Sequence, residues 1–308
     1  MKSFVAILTY RRRHALEVML AGLQEHCGHY KTAIFEDAGN RDDTTAWLAA
    51  GRTPEPCPEL RATKYVQGDL IGSMNALNAD VYIGDCNLGV AGNSNRAIKA
   101  FMDTDCDHLL LCNDDLKVTG DFAKFYAAAH QDLGIGMFCY CPFDRASSAI
   151  TGPPSSYKWT TYPLRGYGVK FLPRFTGIMI SVTRALVEQI GYFDAEFGKW
   201  GEEHSDYTIR ARLAGGIRLD GQDMNCLDVE HKLLDYQEVA SSVTGIDRQR
   251  ANAEASFIMQ RAAFEYRHRH YYRPFRLAYP VSANGYSGVG LPCRQLEQIG
   301  YKLVSAPV

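Results

Sequence analysis

Between residues 4 and 141 the chain alternates short apolar runs with helical repeats, and several runs end in a polar cluster. The runs are Phe4 to Leu8, Thr32 to Phe35, Val81 to Ile83, His108 to Cys112 and Gly134 to Cys141. Between them, residues from about Arg13 to Leu23, the set Val90, Ser94, Ala97, Ile98 and Phe101, and Phe122 to Ala129 carry helical spacing. Strands separated by helices imply βαβ units, and so an α/β chain with a mostly parallel central sheet flanked by helices. Ligands bind such sheets at the carboxyl ends of the strands. The polar clusters after Leu8, after Phe35 and after Cys112 should therefore converge on one edge. Residues 51–62, with Pro54, Pro56 and Pro58, read as a loop.

The second half is less regular. Residues 143–165 have little periodicity and hold Tyr157, Trp159 and Tyr162, so they read as a long loop. Gly177 to Val182 reads as strand, Arg184 to Ile190 as helix, and Glu203 to Ala214 as a helix closed by Gly215-Gly216. With 46% hydrophobic and 22% charged residues, the 308-residue chain can bury a core. A formal net charge of −2 argues against a wholesale nucleic-acid binder, although a local basic patch stays open. Nine scattered cysteines without a CxxC pair, and no apolar stretch near the roughly 20 residues of a membrane helix, read as a cytoplasmic protein with reduced thiols.

Asn113-Asp114-Asp115 closes the apolar run LLLC. Turn chemistry alone would account for an Asn and an Asp there, but two adjacent carboxylates at a strand end repel one another. Three further segments share the same expected edge: Thr9-Tyr10-Arg11, DAGNRDDT at 37–44, and NLGVAGNSNRAI at 87–98, which sets Asn87, Asn95 and Arg96 around a helix start. Taken in order, these segments resemble the nucleotide-sugar-binding half of a family 2-type glycosyltransferase with the GT-A fold, a Rossmann-like α/β architecture. Residues 175–216 resemble that family's acceptor-side segment, with Gly177, Gly191, Phe193, Asp194, Gly201, Glu203, Asp206, Arg210 and Gly215 in register. The resemblance covers roughly residues 3–231. It implies a catalytic domain over 1–235, with donor binding in about 1–120 and the acceptor side in about 143–235. A helical C-terminal extension, 236–308, follows.

A sugar nucleotide carries two phosphates whose charge grows as the glycosidic bond breaks, and a divalent cation stabilises that leaving group as a Lewis acid. Mn²⁺ or Mg²⁺ needs only one or two protein carboxylates beside phosphate and water oxygens. Asp115 is the expected direct ligand, with Asp114 or Asn113 on the ribose or a metal-bound water. Asp37 is expected on the base edge or ribose, with Thr9, Tyr10 and Arg11 forming the base pocket. Arg96 is either a base or phosphate contact or a helix-face charge. The resemblance also implies that His231 completes the metal shell; a structural histidine is the alternative.

An inverting transfer needs a general base within hydrogen-bond reach of the acceptor hydroxyl. The register leaves two candidates, Glu203 and His204, with Glu203 preferred; Asp206 and Arg210, four apart on one helix, read as support for that site. The expected reaction moves a sugar, UDP-linked as the default, to an acceptor hydroxyl on a glycan, a lipid-linked molecule or DNA. Tyr157, Trp159 and Tyr162 are expected as an acceptor lid. The basic-aromatic stretch 261–277 is either a phosphate-rich or stacking surface or an amphipathic helix. Three other readings stay open: a transferase acting on hydroxylated DNA bases, a nucleotidyltransferase, and a non-catalytic sugar-nucleotide or glycan binder.

Overall fold

The computed structural model describes residues 1–37, 43–67, 79–140, 160–172, 177–197, 203–216, 218–219, 222–223, 226–228, 233–237, 270–274 and 301–305. The first half contains β1 (Ser3–Thr9), α1 (Arg13–Cys27), β2 (Lys31–Glu36), α2 (Asp43–Ala49), β3 (Arg52–Cys57), β4 (Ala62–Gln67), β5 (Asp80–Gly84), α3 (Gly89–Met102), β6 (His108–Asn113), β7 (Leu116–Val118), α4 (Phe122–Leu133) and β8 (Met137–Tyr140). Then come β9 (Thr160–Leu164), β10 (Tyr167–Leu172), β11 (Met179–Thr183), α5 (Arg184–Ile190), α6 (Glu203–Leu213), the short strands β12 (Arg218–Leu219), β13 (Gln222–Asp223), β14 (Cys226–Asp228) and β15 (Leu234–Tyr236), and last β16 (His270–Pro274) and β17 (Tyr301–Ser305).

Every residue of β1 is buried, as expected of a strand covered on both faces. Its side chains alternate between two cores. Val5 and Ile7 pack with α1 and α4, through Leu16, Met19, Leu23, Phe122 and Tyr126. Phe4, Ala6 and Leu8 pack on the opposite face with α3, through Ala97, Ile98 and Phe101. This is the two-residue period of a strand expressed as a three-layer fold, each fully buried apolar side chain contributing about 1.5–3 kcal/mol.

Eleven of the described strands form one sheet in the order β3-β4-β5-β2-β1-β6-β11-β8-β14-β10-β9, and the pairs β12-β13, β7-β15 and β16-β17 stand as separate two-stranded sheets. Only the block β5-β2-β1-β6 and the pair β8-β14 are parallel; β3-β4, β4-β5, β6-β11, β11-β8, β14-β10 and β10-β9 are antiparallel. The expected mostly parallel sheet is therefore a mixed one with a parallel centre. The antiparallel additions carry the differences from the expected elements. Residues 52–57, expected as loop, are an edge strand whose Pro54 and Pro56 stand opposite Tyr65 and Thr63. Prolines two apart use the same side of the strand, and on an edge that side needs no N–H. Residues 160–164, taken into the long loop, instead pair with β10 as a hairpin; Tyr157 and Trp159 lie outside the described residues.

Beyond Gln237 the described residues are β16 and β17, paired antiparallel from His270↔Ser305 to Pro274↔Tyr301. Strand thus replaces the helix expected at 270–274. Adjacent Tyr271 and Tyr272 favour extended backbone, and Pro274 closes a strand more readily than it continues a helix. Among the described residues, no helix is long and apolar enough to cross a membrane.

Candidate functional site

The parallel registers bring the ends of β1, β2 and β6 to one level. The Asp37 N–H donates to the Thr9 carbonyl at 3.1 Å and the Asp114 N–H to the Leu8 carbonyl at 3.2 Å, so the polar clusters that follow these strands are stitched side by side. The Asn113 N–H donates to the Ile178 carbonyl, fastening the same corner to the start of β11.

Asp114 is fully buried and Asp115 is 7% exposed. Thr9 Oγ1 donates to Asp114 Oδ2 at 2.7 Å. The remaining partner is one the sequence reading passed over. Arg12 places Nη2 on Asp114 Oδ1 and Nη1 3.4 Å from Asp115 Oδ2, so a single guanidinium bridges both acids. The chain turns back to reach them through Arg11, whose φ of 54° is left-handed, a conformation that costs a non-glycine residue on the order of 1 kcal/mol. Arg11 itself is exposed, with its guanidinium 5.2 Å from the Tyr10 ring centroid. Burial, together with the Asp115 charge, pushes the Asp114 carboxyl up to about 7 against the pull of Arg12 and Thr9. Burial raises Asp115 as well, opposed by Arg12. Asp115 Oδ1 is buried and has no hydrogen-bond partner among the described residues. The only sequence signal for Arg12 was the run Arg11-Arg12-Arg13 after the first strand.

Asp37 and Arg96 form a second buried unit. Asp37 accepts from the Leu88 N–H at 2.9 Å and the Gly89 N–H at 2.8 Å, capping the start of α3, and from Arg96 Nη1 at 2.5 Å. Asn87 Oδ1 also accepts from the Gly89 N–H. Burial pushes the Asp37 carboxyl up to about 6 although Arg96 and both amides oppose it. Arg96 is 1% exposed and also donates to the carbonyls of Leu60, Arg61 and Cys86. It is thus not the helix-face charge given as one alternative: its donors tie α3 to the turns after β3 and β5. Asn95, grouped with the donor contacts, is fully buried and clamps the Phe193 backbone, accepting from its N–H at 2.8 Å and donating to its carbonyl at 3.0 Å.

That clamp leads to the third unit. Phe193 stacks on Tyr207 at 4.1 Å and meets the His204 ring edge-on at 5.7 Å. His204 Nδ1 lies 2.7 Å from Glu203 Oε1; Glu203 is 2% exposed, and its Oε2 is buried without a hydrogen-bond partner. The imidazole lies so close over Gly177 that a Cβ there would collide with the ring. Since Gly177 adjoins Ile178, whose carbonyl holds Asn113, the Glu203–His204 pair and the Asp114–Asp115 corner share one support. Asp206 accepts from Arg210 Nε at 2.9 Å, and Arg210 Nη1 reaches the Ile190 carbonyl at 2.7 Å, a brace between α5 and α6. Burial pushes Asp206 up to about 6 against the pull of Arg210. His231 lies outside the described residues, as do residues 38–42 of the DAGNRDDT segment.

No protein-family model and no curated protein matches the chain. Solved structures do. The mannosyltransferase PcManGT from Pyrobaculum calidifontis, in complex with GDP-Man and Mn²⁺, is 13% identical and superposes with a TM-score of 0.53 over 86% of this chain and 64% of its own. GalNAc-T7 with UDP, GalNAc and Mn²⁺ gives 0.51 at 12% identity, over 79% of this chain and 44% of its own. TarS 1–349 from S. aureus in complex with UDP-GlcNAc gives 0.50 at 15% identity, over 79% and 60%. The chain spans less than two thirds of the length of each. At these identities the likeness is one of architecture: a large mixed sheet flanked by helices, the GT-A type.

Proposed function

We propose that the chain is a metal-dependent glycosyltransferase that moves a sugar from a nucleoside diphosphate, UDP as the default, to an acceptor hydroxyl with inversion. The observation that carries the reading is the Asp114–Asp115 corner at the shared carboxyl edge of β1 and β6, in a chain of GT-A type. The donor set suits a hard divalent cation. Asp115 Oδ1 is a buried carboxylate oxygen without a hydrogen-bond partner, whereas Asp114 is committed to Thr9 and Arg12. Among the described residues no three His, Cys, Asp or Glu side chains gather about one point; a Mn²⁺ or Mg²⁺ ion needs only one or two protein ligands beside phosphate and water oxygens. Bound there, the ion supplies Lewis-acid stabilisation of the departing diphosphate; Asp115 holds it, and His231 is its proposed further ligand.

Tyr10, Arg11 and Asn113 line the donor side in this reading, and Asp37 supports it from beneath as the cap of α3. Glu203 takes the proton of the acceptor hydroxyl at Oε2, while His204 holds Oε1 in place; the buried, unpartnered Oε2 supports that assignment. The greater exposure of the His204 side chain, 18% against 2%, favours the reverse assignment, with Glu203 orienting a histidine base. Two measurements test the proposal. Asp115→Ala should abolish Mn²⁺-dependent binding of a nucleotide sugar in calorimetry with the fold intact by circular dichroism; undiminished affinity refutes the ligand assignment. Glu203→Gln should lower turnover at least about a hundredfold at unchanged donor affinity, and more than His204→Ala does. The opposite order moves the base to His204, and two active variants remove it from this pair.

A further inference from the structure

Among the described residues, Arg12 is the one guanidinium at the acid pair. Its two terminal nitrogens lie on different carboxylates, and its Nε is buried without a hydrogen-bond partner. With Arg12 in place the acid pair faces a guanidinium; without it, the two carboxyl groups lose their positive counter-charge. A divalent cation arriving alone gains attraction to Asp115 and meets repulsion from the guanidinium a few ångströms away. A diphosphate arriving alone meets the reverse, attraction to Arg12 and repulsion from the acids. Each ligand therefore lowers the electrostatic penalty of the other.

We infer that Arg12 is a built-in counter-ion that keeps the Asp114–Asp115 corner from holding a divalent cation by itself and makes cation and nucleoside diphosphate bind cooperatively. The inference rests on the metal-dependent reading above and adds to it a loading rule. Coupling of this kind is reciprocal: the factor by which UDP tightens Mn²⁺ binding equals the factor by which Mn²⁺ tightens UDP binding. Removing one unit charge next to a divalent ion in a partly buried corner should change affinity by about tenfold or more.

The test is a calorimetric titration of Mn²⁺ alone, then of Mn²⁺ with saturating UDP, into the wild type, Arg12→Gln, Arg12→Lys and Asp115→Asn. Arg12→Gln should bind Mn²⁺ alone at least about tenfold more tightly than the wild type, and UDP should then enhance that binding less. Arg12→Lys, which keeps the charge but not the fork that spans both acids, should lie nearer to the wild type than Arg12→Gln does. Because Arg12→Gln strands the buried Asp114 carboxylate, the comparison is repeated between Asp114→Asn and Arg12→Gln/Asp114→Asn, where that group is neutral; the double variant should again be the tighter Mn²⁺ binder. If removing Arg12 leaves Mn²⁺ affinity unchanged in both backgrounds while Asp115→Asn still abolishes it, the inference falls and the metal site stands. If the wild type binds no Mn²⁺ even with UDP, the metal site falls and takes the inference with it.

Discussion

Replacing Arg96 with lysine distinguishes a structural arginine from one that touches the donor. The guanidinium serves Asp37 and the carbonyls of Leu60, Arg61 and Cys86 from 1% exposure. Lysine keeps the charge but presents three donors from one nitrogen, and it cannot reach partners spread around a planar fork. At least two buried or part-buried carbonyls then lose their partner, at about 1–3 kcal/mol each, so Arg96→Lys should cost about 2–6 kcal/mol. Arg96→Ala should cost at least about 3–5 kcal/mol, because it also leaves the Asp37 carboxylate without its counter-charge. For a domain of this size class each kcal/mol lowers Tm by roughly 2–4 °C. Differential scanning of Arg96→Lys should therefore show a loss of about 4–24 °C. The donor affinity of the folded fraction, measured well below that transition, should be within about threefold of the wild type. A Tm within 1 °C or so of the wild type, joined to a large loss of donor affinity, would refute the reasoning and return Arg96 to the base or phosphate.

Two further outcomes follow from the same geometry. Gly177→Ala should push the His204 ring off its seat and lower turnover with donor affinity retained; full turnover at saturating donor would mean that His204 can move without cost. At the opposite end of the sheet, His108 and His130 share Ser181 Oγ, at 2.7 and 2.8 Å, and burial holds both histidines below their ordinary value, His130 at about 4. A histidine depressed by folding stabilises the fold above its unfolded value of about 6.5 and loses that contribution as pH falls toward the folded one. His130 alone should cost on the order of 2 kcal/mol between pH 7.5 and pH 5. Asp37, Asp114 and Asp206, raised by burial, act with the opposite sign, so the measurement compares wild type with His130→Asn by urea unfolding at both pH values. Equal pH dependence in the two proteins would sink the assignment.

Much of this protein is legible in its residues alone, and for a local reason. The runs at Phe4–Leu8 and His108–Cys112 and the helical spacing from Val90 to Phe101 are short-range periods, and a buried strand or helix face obeys them wherever it lies. Parallel pairing then obliges the clusters after Leu8, Phe35 and Cys112 to meet at one edge, so the neighbourhood of Asp37, Asp114 and Asp115 follows from composition and order. The partners of those acids do not. Arg12 reaches Asp115 across 103 positions, Arg96 reaches Asp37 across 59, and Asn95 grips Phe193 across 98. A buried charge or amide accepts whichever complementary group the packed layers bring within about 3 Å, and no period in the chain encodes that choice. The same holds for Pro54 and Pro56, which read as loop until the sheet leaves their strand an outer edge to occupy. Periodicity decided the central strands, the helices and the edge where they meet; only the closing of the layers decided the outer strands and the partners that the buried groups take.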